Sequence, residues 1–163
     1  MDYKIYPMEA QDHPFVLDIY NRIVNQGMSY QRETPFSLEE FIDYVKDHTV
    51  YVLKVKDEVC GFFILRPNGP GRVSHIANGT YGLAEKHRGK NLGKELVQKS
   101  LEIAKKMGYH GIQFNSVVIN NKVACHLYQS FGFKEMAIIP KGYRGDGEYF
   151  DIGIYYKNLI NEK

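Results

Sequence analysis

Apolar residues recur along this chain with two different periods. Recurrence at every third or fourth position marks one buried face of a helix. Alternation, or a short unbroken apolar run, marks a strand. Residues 3–8 read as a first strand. Asp12 then stands where a helix cap is needed, with Pro14 in the first turn. Phe15, Val16, Ile19, Tyr20 and Ile23 make one apolar face, and Gly27 ends it. After a loop at 27–36, Ser37 and Glu40 form a capping box with Phe36 and Phe41 as its hydrophobic staple, so a second helix begins at 38. Residues 49–56 and 59–66 are rich in Val, Leu, Ile, Phe and Tyr around Lys56-Asp57-Glu58, the pattern of a β-hairpin.

A turn cluster at 67–71 leads into a longer strand at about 72–84, and Ala77-Asn78-Gly79-Thr80 breaks its alternation as a bulge would. Leu92, Leu96, Val97, Leu101, Ala104 and Met107 lie at helical spacing, closed by Gly108. A strand follows at 111–118. Asn120 or Asn121 caps a helix whose inner face is Ala124, Leu127, Tyr128 and Phe131, closed by Gly132. Strands at 133–139 and 148–157 finish the chain. The order β-α-α-β-β-β-α-β-α-β-β predicts an α/β (α+β) fold, a mixed sheet with helices on both faces.

Composition narrows the function classes. The 163 residues suit one domain spanning 1–163. Twenty-one basic and nineteen acidic side chains leave a charge of +2, too balanced to argue for nucleic acid or a membrane surface. No apolar run approaches a membrane span, and the first residues lack the apolar core of a signal peptide, so a cytoplasmic location is expected. Cys60 and Cys125 are too few and too far apart for a disulfide framework. The six histidines show no metal-ligand spacing, and Cys125-His126, adjacent on a helix, would point different ways; no metal is expected.

The chemistry concentrates in one turn. Arg88-Gly89-Lys90-Asn91-Leu92-Gly93-Lys94 joins a strand end to a helix start. Backbone N–H groups left free at a helix start, ringed by Arg88, Lys90 and Lys94, suit an anionic phosphate group, and Gly89 and Gly93 let a ligand approach the backbone. The plainer reading is a basic, solvated helix start. A triphosphate P-loop is excluded, because Gly89 and Gly93 are one residue too close and Glu95 follows the lysine where a magnesium-binding hydroxyl is required. The dinucleotide fingerprint is excluded by its glycine spacing. What the segment resembles is the coenzyme A pyrophosphate loop of the GNAT superfamily of N-acetyltransferases: an arginine or glutamine, two free positions, a glycine, one free position, then glycine or alanine. Asn91 stands at the first glycine of that pattern. Asn tolerates the left-handed conformation better than other residues with a side chain, so the change is physically mild.

A second stretch, from Val117 to Phe133, resembles the next motif of the same family through Asn121, Ala124, Leu127, Tyr128, Gly132 and Phe133. It follows the first at the family's distance. The Gly147–Asp151 segment also resembles a strand of small bacterial members. The resemblance implies a mostly antiparallel seven-stranded sheet in which the fourth and fifth strands splay apart. It further implies that the pantetheine arm of acetyl-CoA lies along the backbone edge of Tyr81, Gly82 and Leu83, with the pyrophosphate on the N–H groups from Gly89 to Lys94. Asn121 and Ala124 would contact the cofactor, although Asn121 serves equally well as a plain helix cap. An amine would attack the thioester directly, the N–H near Leu83 would stabilise the oxyanion, and Tyr128 would protonate the leaving thiolate. By spacing alone Tyr128 is a core tyrosine; the motif context gives it the second role.

The general base is not specified. The family position counted back from Arg88 is Ala77, which cannot serve; His75, Glu33, Glu85 or a water-mediated route stay open. By the family's geometry the acceptor would enter between the loops at 27–36 and 140–147, which carry Tyr30, Arg32, Glu33, Tyr143, Arg144 and Asp146. This mixture suits a small polar amine. The expectation is an acetyl-CoA-dependent N-acetyltransferase of small amines or amino acids, with a protein or peptide N-acetyltransferase of the same fold, or a non-catalytic acyl-CoA-binding regulatory module, as alternatives. A homodimer is left open as a further partner.

Overall fold

A computed structural model describes residues 1–160. The chain order is β1 (Lys4–Pro7), α1 (His13–Gln26), α2 (Leu38–Val45), β2 (Thr49–Val55), β3 (Glu58–Pro67), β4 (Ile76–Leu83), α3 (Leu92–Lys106), β5 (Gly111–Val118), α4 (Lys122–Ser130), β6 (Lys134–Arg144) and β7 (Tyr149–Asn158). The strands form one sheet in the order β1-β2-β3-β4-β5-β7-β6. Among the described strands only β4 and β5 run parallel, and their pairing is confined to Ile76–Gly111 and Ala77–Ile112. Beyond Ala77 the two strands part, which is the expected splay.

Both faces are covered. Val16, Ile19, Tyr20, Ile23 and Val24 of α1 and Phe41 and Val45 of α2 pack on Val50, Val52, Phe62 and Ile64. Leu92, Leu96, Val97, Ile103 and Ala104 of α3 and Cys125 of α4 pack on the opposite face, against Leu53, Phe63, Leu65, Ile112 and Phe114. The alternation along β3 therefore feeds two cores at once, as expected of a central strand. The β2–β3 turn is tight because Lys56 and Asp57 both adopt positive φ, at 49° and 66°, the conformation of a primed hairpin turn. The capping box forms as expected: Ser37 accepts from the Glu40 N–H, and Glu40 accepts from the Ser37 N–H. No helix among the described residues is long and apolar enough to cross a membrane.

Several local expectations fail, each for a physical reason. Asp12 does not cap α1 with its side chain; its buried carboxylate accepts the Glu9 N–H and pairs with Lys54 at 2.9 Å. Phe15 is 60% exposed, because at about 100° per residue it falls at the edge of the stripe centred on Val16 and Ile23. Met107 lies past the end of α3 and is also exposed. Strand β4 begins at Ile76 rather than 72, since its partner β3 ends at the Pro67–Ala77 pair and a single helical turn occupies Gly71–Val73. The Ala77–Thr80 stretch holds no bulge, and its register against β3 is unbroken. Its small residues make room instead: a Cβ on Gly79 would stand 2.9 Å from the Tyr81 hydroxyl and 3.3 Å from the Phe114 ring. The expected loop at 140–147 is mostly strand. β6 runs on to Arg144 across an irregularity between Ile139 and Tyr143, where Lys141 has positive φ and donates its N–H to Asp151.

Candidate active site

The Arg88–Lys94 turn is built to leave its backbone open. Gly89 has φ of 74° and Asn91 has φ of 62°, so the chain turns left-handed twice before α3 starts. Asn91 is the residue before the helix, yet its side chain caps nothing. The N–H groups from Gly89 to Lys94 have no acceptor among the described residues. A Cβ on Gly89 would meet nothing within 4 Å, and one on Gly93 only Leu127 at 3.6 Å. Arg88, Lys90 and Lys94 have no carboxylate partner among the described residues; Arg88 reaches only the Gln26 amide, at 3.3 Å. Three cations at the positive end of a helix dipole oppose folding by a few tenths to about 1 kcal/mol each. An anion seated there would reverse that sign.

The splay opens beside this turn. Ala84 donates its N–H to the Cys60 carbonyl, so by the two-residue period of the ladder Gly82 also points its backbone groups at β3. Tyr81 and Leu83 then turn theirs toward the gap. Gly82 is needed for packing: a Cβ there would overlap the Phe62 ring at 2.3 Å. The Tyr81 carbonyl already accepts a hydrogen bond from the Tyr30 hydroxyl at 2.7 Å. The Tyr81 hydroxyl bonds Ser100 at 2.7 Å, on the α3 side of the sheet.

Tyr128 projects from α4 into the same region. Its ring lies 4.4 Å from Phe114, 5.8 Å from Phe133 and 6.1 Å from Tyr81, so it bridges the two parted strands. Its hydroxyl makes no hydrogen bond with a described residue. Burial pushes the phenols of Tyr81 and Tyr128 above their ordinary value, which keeps both protonated at neutral pH. Helix α4 is held at its start by Asn121, whose side chain accepts the Ala124 N–H at 3.2 Å.

The two segments expected to flank the acceptor meet. Tyr143 donates its hydroxyl to the Tyr30 carbonyl at 2.8 Å, and Arg144 pairs with Glu33. Tyr30, Glu33 and Tyr143 thus form one strap, and the Tyr30 hydroxyl ties it to β4. Arg32 instead stacks on Phe36, 3.5 Å from the ring centre. The three groups weighed as general bases are not brought together. His75 precedes the paired end of β4 and meets His110 edge-on, Glu33 is engaged by Arg144, and Glu85 is exposed in the turn after β4. Asp146 lies beside Gly27, 3.9 Å from where a Cβ would be, at the far end of the strap. Sequence reasoning missed one cluster. Glu58, Cys60 and His87 converge beneath the basic turn, and no spacing rule connects residues that far apart.

Comparison with known proteins agrees with this geometry. The acetyltransferase (GNAT) family model matches residues 10–133. The N-acetyltransferase aca1 of Schizosaccharomyces pombe is 34% identical over 105 residues, 61% of this chain and 49% of its own length, so the chain spans about half of that curated relative. A GCN5-related N-acetyltransferase from Kribbella flavida is 26% identical, with a TM-score of 0.89 over 96% of this chain and 97% of its own. A phosphinothricin acetyltransferase from Sinorhizobium meliloti, solved in complex with AcCoA, shares the fold at 18% identity, with a TM-score of 0.89 over 98% of this chain and 89% of its own. The chain therefore belongs to the acetyltransferase (GNAT) family.

Proposed function

We propose that this domain moves the acetyl group of acetyl-CoA to the primary amine of a small molecule or amino acid by direct attack. One observation carries the reading: the uncapped, cationic helix start at Gly89–Lys94 opens onto the same end of the sheet where β4 and β5 part. The pyrophosphate takes the N–H groups from Gly89 to Lys94, with Arg88, Lys90 and Lys94 as counter-charges. Asn121 and Ala124, at the start of α4, contact the cofactor. The pantetheine arm follows Tyr81 and Leu83 as an added strand would. The Leu83 N–H faces the developing oxyanion. Tyr128 gives its proton to the departing thiolate; burial raises the phenol above its ordinary value and so keeps it protonated at neutral pH until then. With Glu33 held in its pair with Arg144, and His75 and Glu85 placed elsewhere, the ammonium proton leaves through water.

The small acceptor is favoured by the strap. Tyr143, Arg144, Tyr30 and Glu33 close the gap's outer side, whereas a peptide would need an open groove. The test is acetyl-CoA turnover, read as free thiol release, against polyamines, amino acids, phosphinothricin and short peptides. Turnover of a small amine is expected. Turnover of peptides alone would overturn the acceptor class, and acetyl-CoA binding without any turnover would leave a non-catalytic acyl-CoA module. Acetyl-CoA at a hundred times its Kd should stabilise the fold by about 2.7 kcal/mol, a rise of a few degrees in Tm that inorganic phosphate does not reproduce.

A further inference from the structure

Beneath the basic turn lies a cluster that acyl transfer does not use. Cys60 at the start of β3 is fully buried, and His87 in the turn before Arg88 is 8% exposed. Cys60 Sγ and His87 Nε2 are 3.2 Å apart, and His87 Nε2 is 3.9 Å from Glu58 Oε2. One ligand atom from each residue fits within 4.8 Å of the others. Zinc bonds of roughly 2.0–2.3 Å at tetrahedral angles place neighbouring ligand atoms about 3.3–3.6 Å apart, so the triangle needs only small side-chain adjustment.

The chemistry of the donors points the same way. A thiolate, an imidazole and one carboxylate are the borderline-soft set that selects zinc-like ions over magnesium or calcium. Glu58 gives its Oε1 to Lys86, which leaves Oε2 directed at His87. The His87 ring is buried, yet its Nδ1 has no partner among the described residues, so the contacts of Nε2 are what orient it. Glu58 is exposed, so a fourth position opens to water on its side.

We propose that Glu58, Cys60 and His87 form a three-ligand site for Zn²⁺ or a cation of its class, completed by water. The site stands apart from acyl transfer and does not depend on the acceptor proposed above. Binding replaces the Cys60 proton with the metal and releases that proton to solvent. Because the thiol must lose its proton to bind, affinity should climb with pH. The ion would pin His87, the residue before Arg88, and so fix the start of the phosphate-binding turn.

The test is Co²⁺ titration of the reduced, chelator-treated chain. One equivalent should bind with the near-ultraviolet absorption of a cobalt–thiolate bond, and Zn²⁺ should displace it. Cys60→Ser should abolish that absorption, whereas Cys125→Ser should keep it. Glu58→Gln, at an exposed position that leaves the core intact, should weaken Co²⁺ by about tenfold or more, in line with the loss of one charged ligand. Zn²⁺ should raise Tm in the wild type and much less in Glu58→Gln. No cobalt–thiolate absorption at millimolar Co²⁺, or the same absorption in Cys60→Ser, would overturn the site and leave a thiol–imidazole hydrogen bond in its place.

Discussion

Helices α3 and α4 both start at an asparagine, and the two asparagines do opposite things. Asn121 sits at φ −79° and closes the start of α4 by accepting the Ala124 N–H. Asn91 sits in the left-handed region at φ 62° and leaves the start of α3 uncapped. The sealed helix carries Tyr128 into the gap between β4 and β5; the open one offers its N–H groups and three cations to solvent. An unsealed helix end costs stability, and an anionic ligand is what recovers it. The contrast separates a helix start closed by its own side chain from one left open, although the residue type is the same.

The largest effect should come from what the sealed helix presents. Tyr128→Phe keeps the ring against Phe114 and removes only the hydroxyl, so Tm should barely move while the chemical step slows by about 10²–10⁴. The loss should fall on kcat rather than on acetyl-CoA affinity. A rate within twofold of wild type, with chemistry limiting, would return Tyr128 to core packing alone.

Breaking the open helix start comes next. Gly93→Val puts a branched side chain where the pyrophosphate approaches, and Leu127 at 3.6 Å from the Cβ position leaves room for the fold to survive. Acetyl-CoA affinity should fall by about a hundredfold, close to 2.8 kcal/mol. Unchanged binding by calorimetry, with a wild-type melting curve, would show that the turn is not the cradle.

The two asparagines give the smaller and sharper tests. Asn121→Ala should cost about 1 kcal/mol through the lost cap, read as a drop in Tm. Asn91→Ala should cost up to about 1 kcal/mol for a different reason: the strain of the left-handed region, which asparagine's short polar side chain eases and alanine's methyl does not. Asn91→Gly relieves that strain and should match wild type within a few tenths of a kcal/mol in stability, binding acetyl-CoA as well or better. Equal behaviour of Ala and Gly at position 91 in urea unfolding would remove the conformational argument.

What the sequence alone determined was local. The apolar period placed the helices and strands. Gly27, Gly108 and Gly132 closed three helices in the left-handed conformation, at φ of 68°, 87° and 85°. The Ser37 capping box and the Arg88–Lys94 turn were legible because their hydrogen bonds, or the lack of them, involve neighbours in sequence. Tertiary structure decided whatever joins distant residues. It put β7 between β5 and β6, lengthened β6 through its pairing with β7, and ended β4 where β3 ran out. It tied Tyr30 to Tyr81 and Tyr143, and Glu33 to Arg144, so that two segments more than a hundred residues apart became one strap. It also gathered Glu58, Cys60 and His87. Periodicity encodes which face of an element is apolar, but not which partner covers it or in what register. Those depend on burying all the faces together, and only the folded chain satisfies that condition.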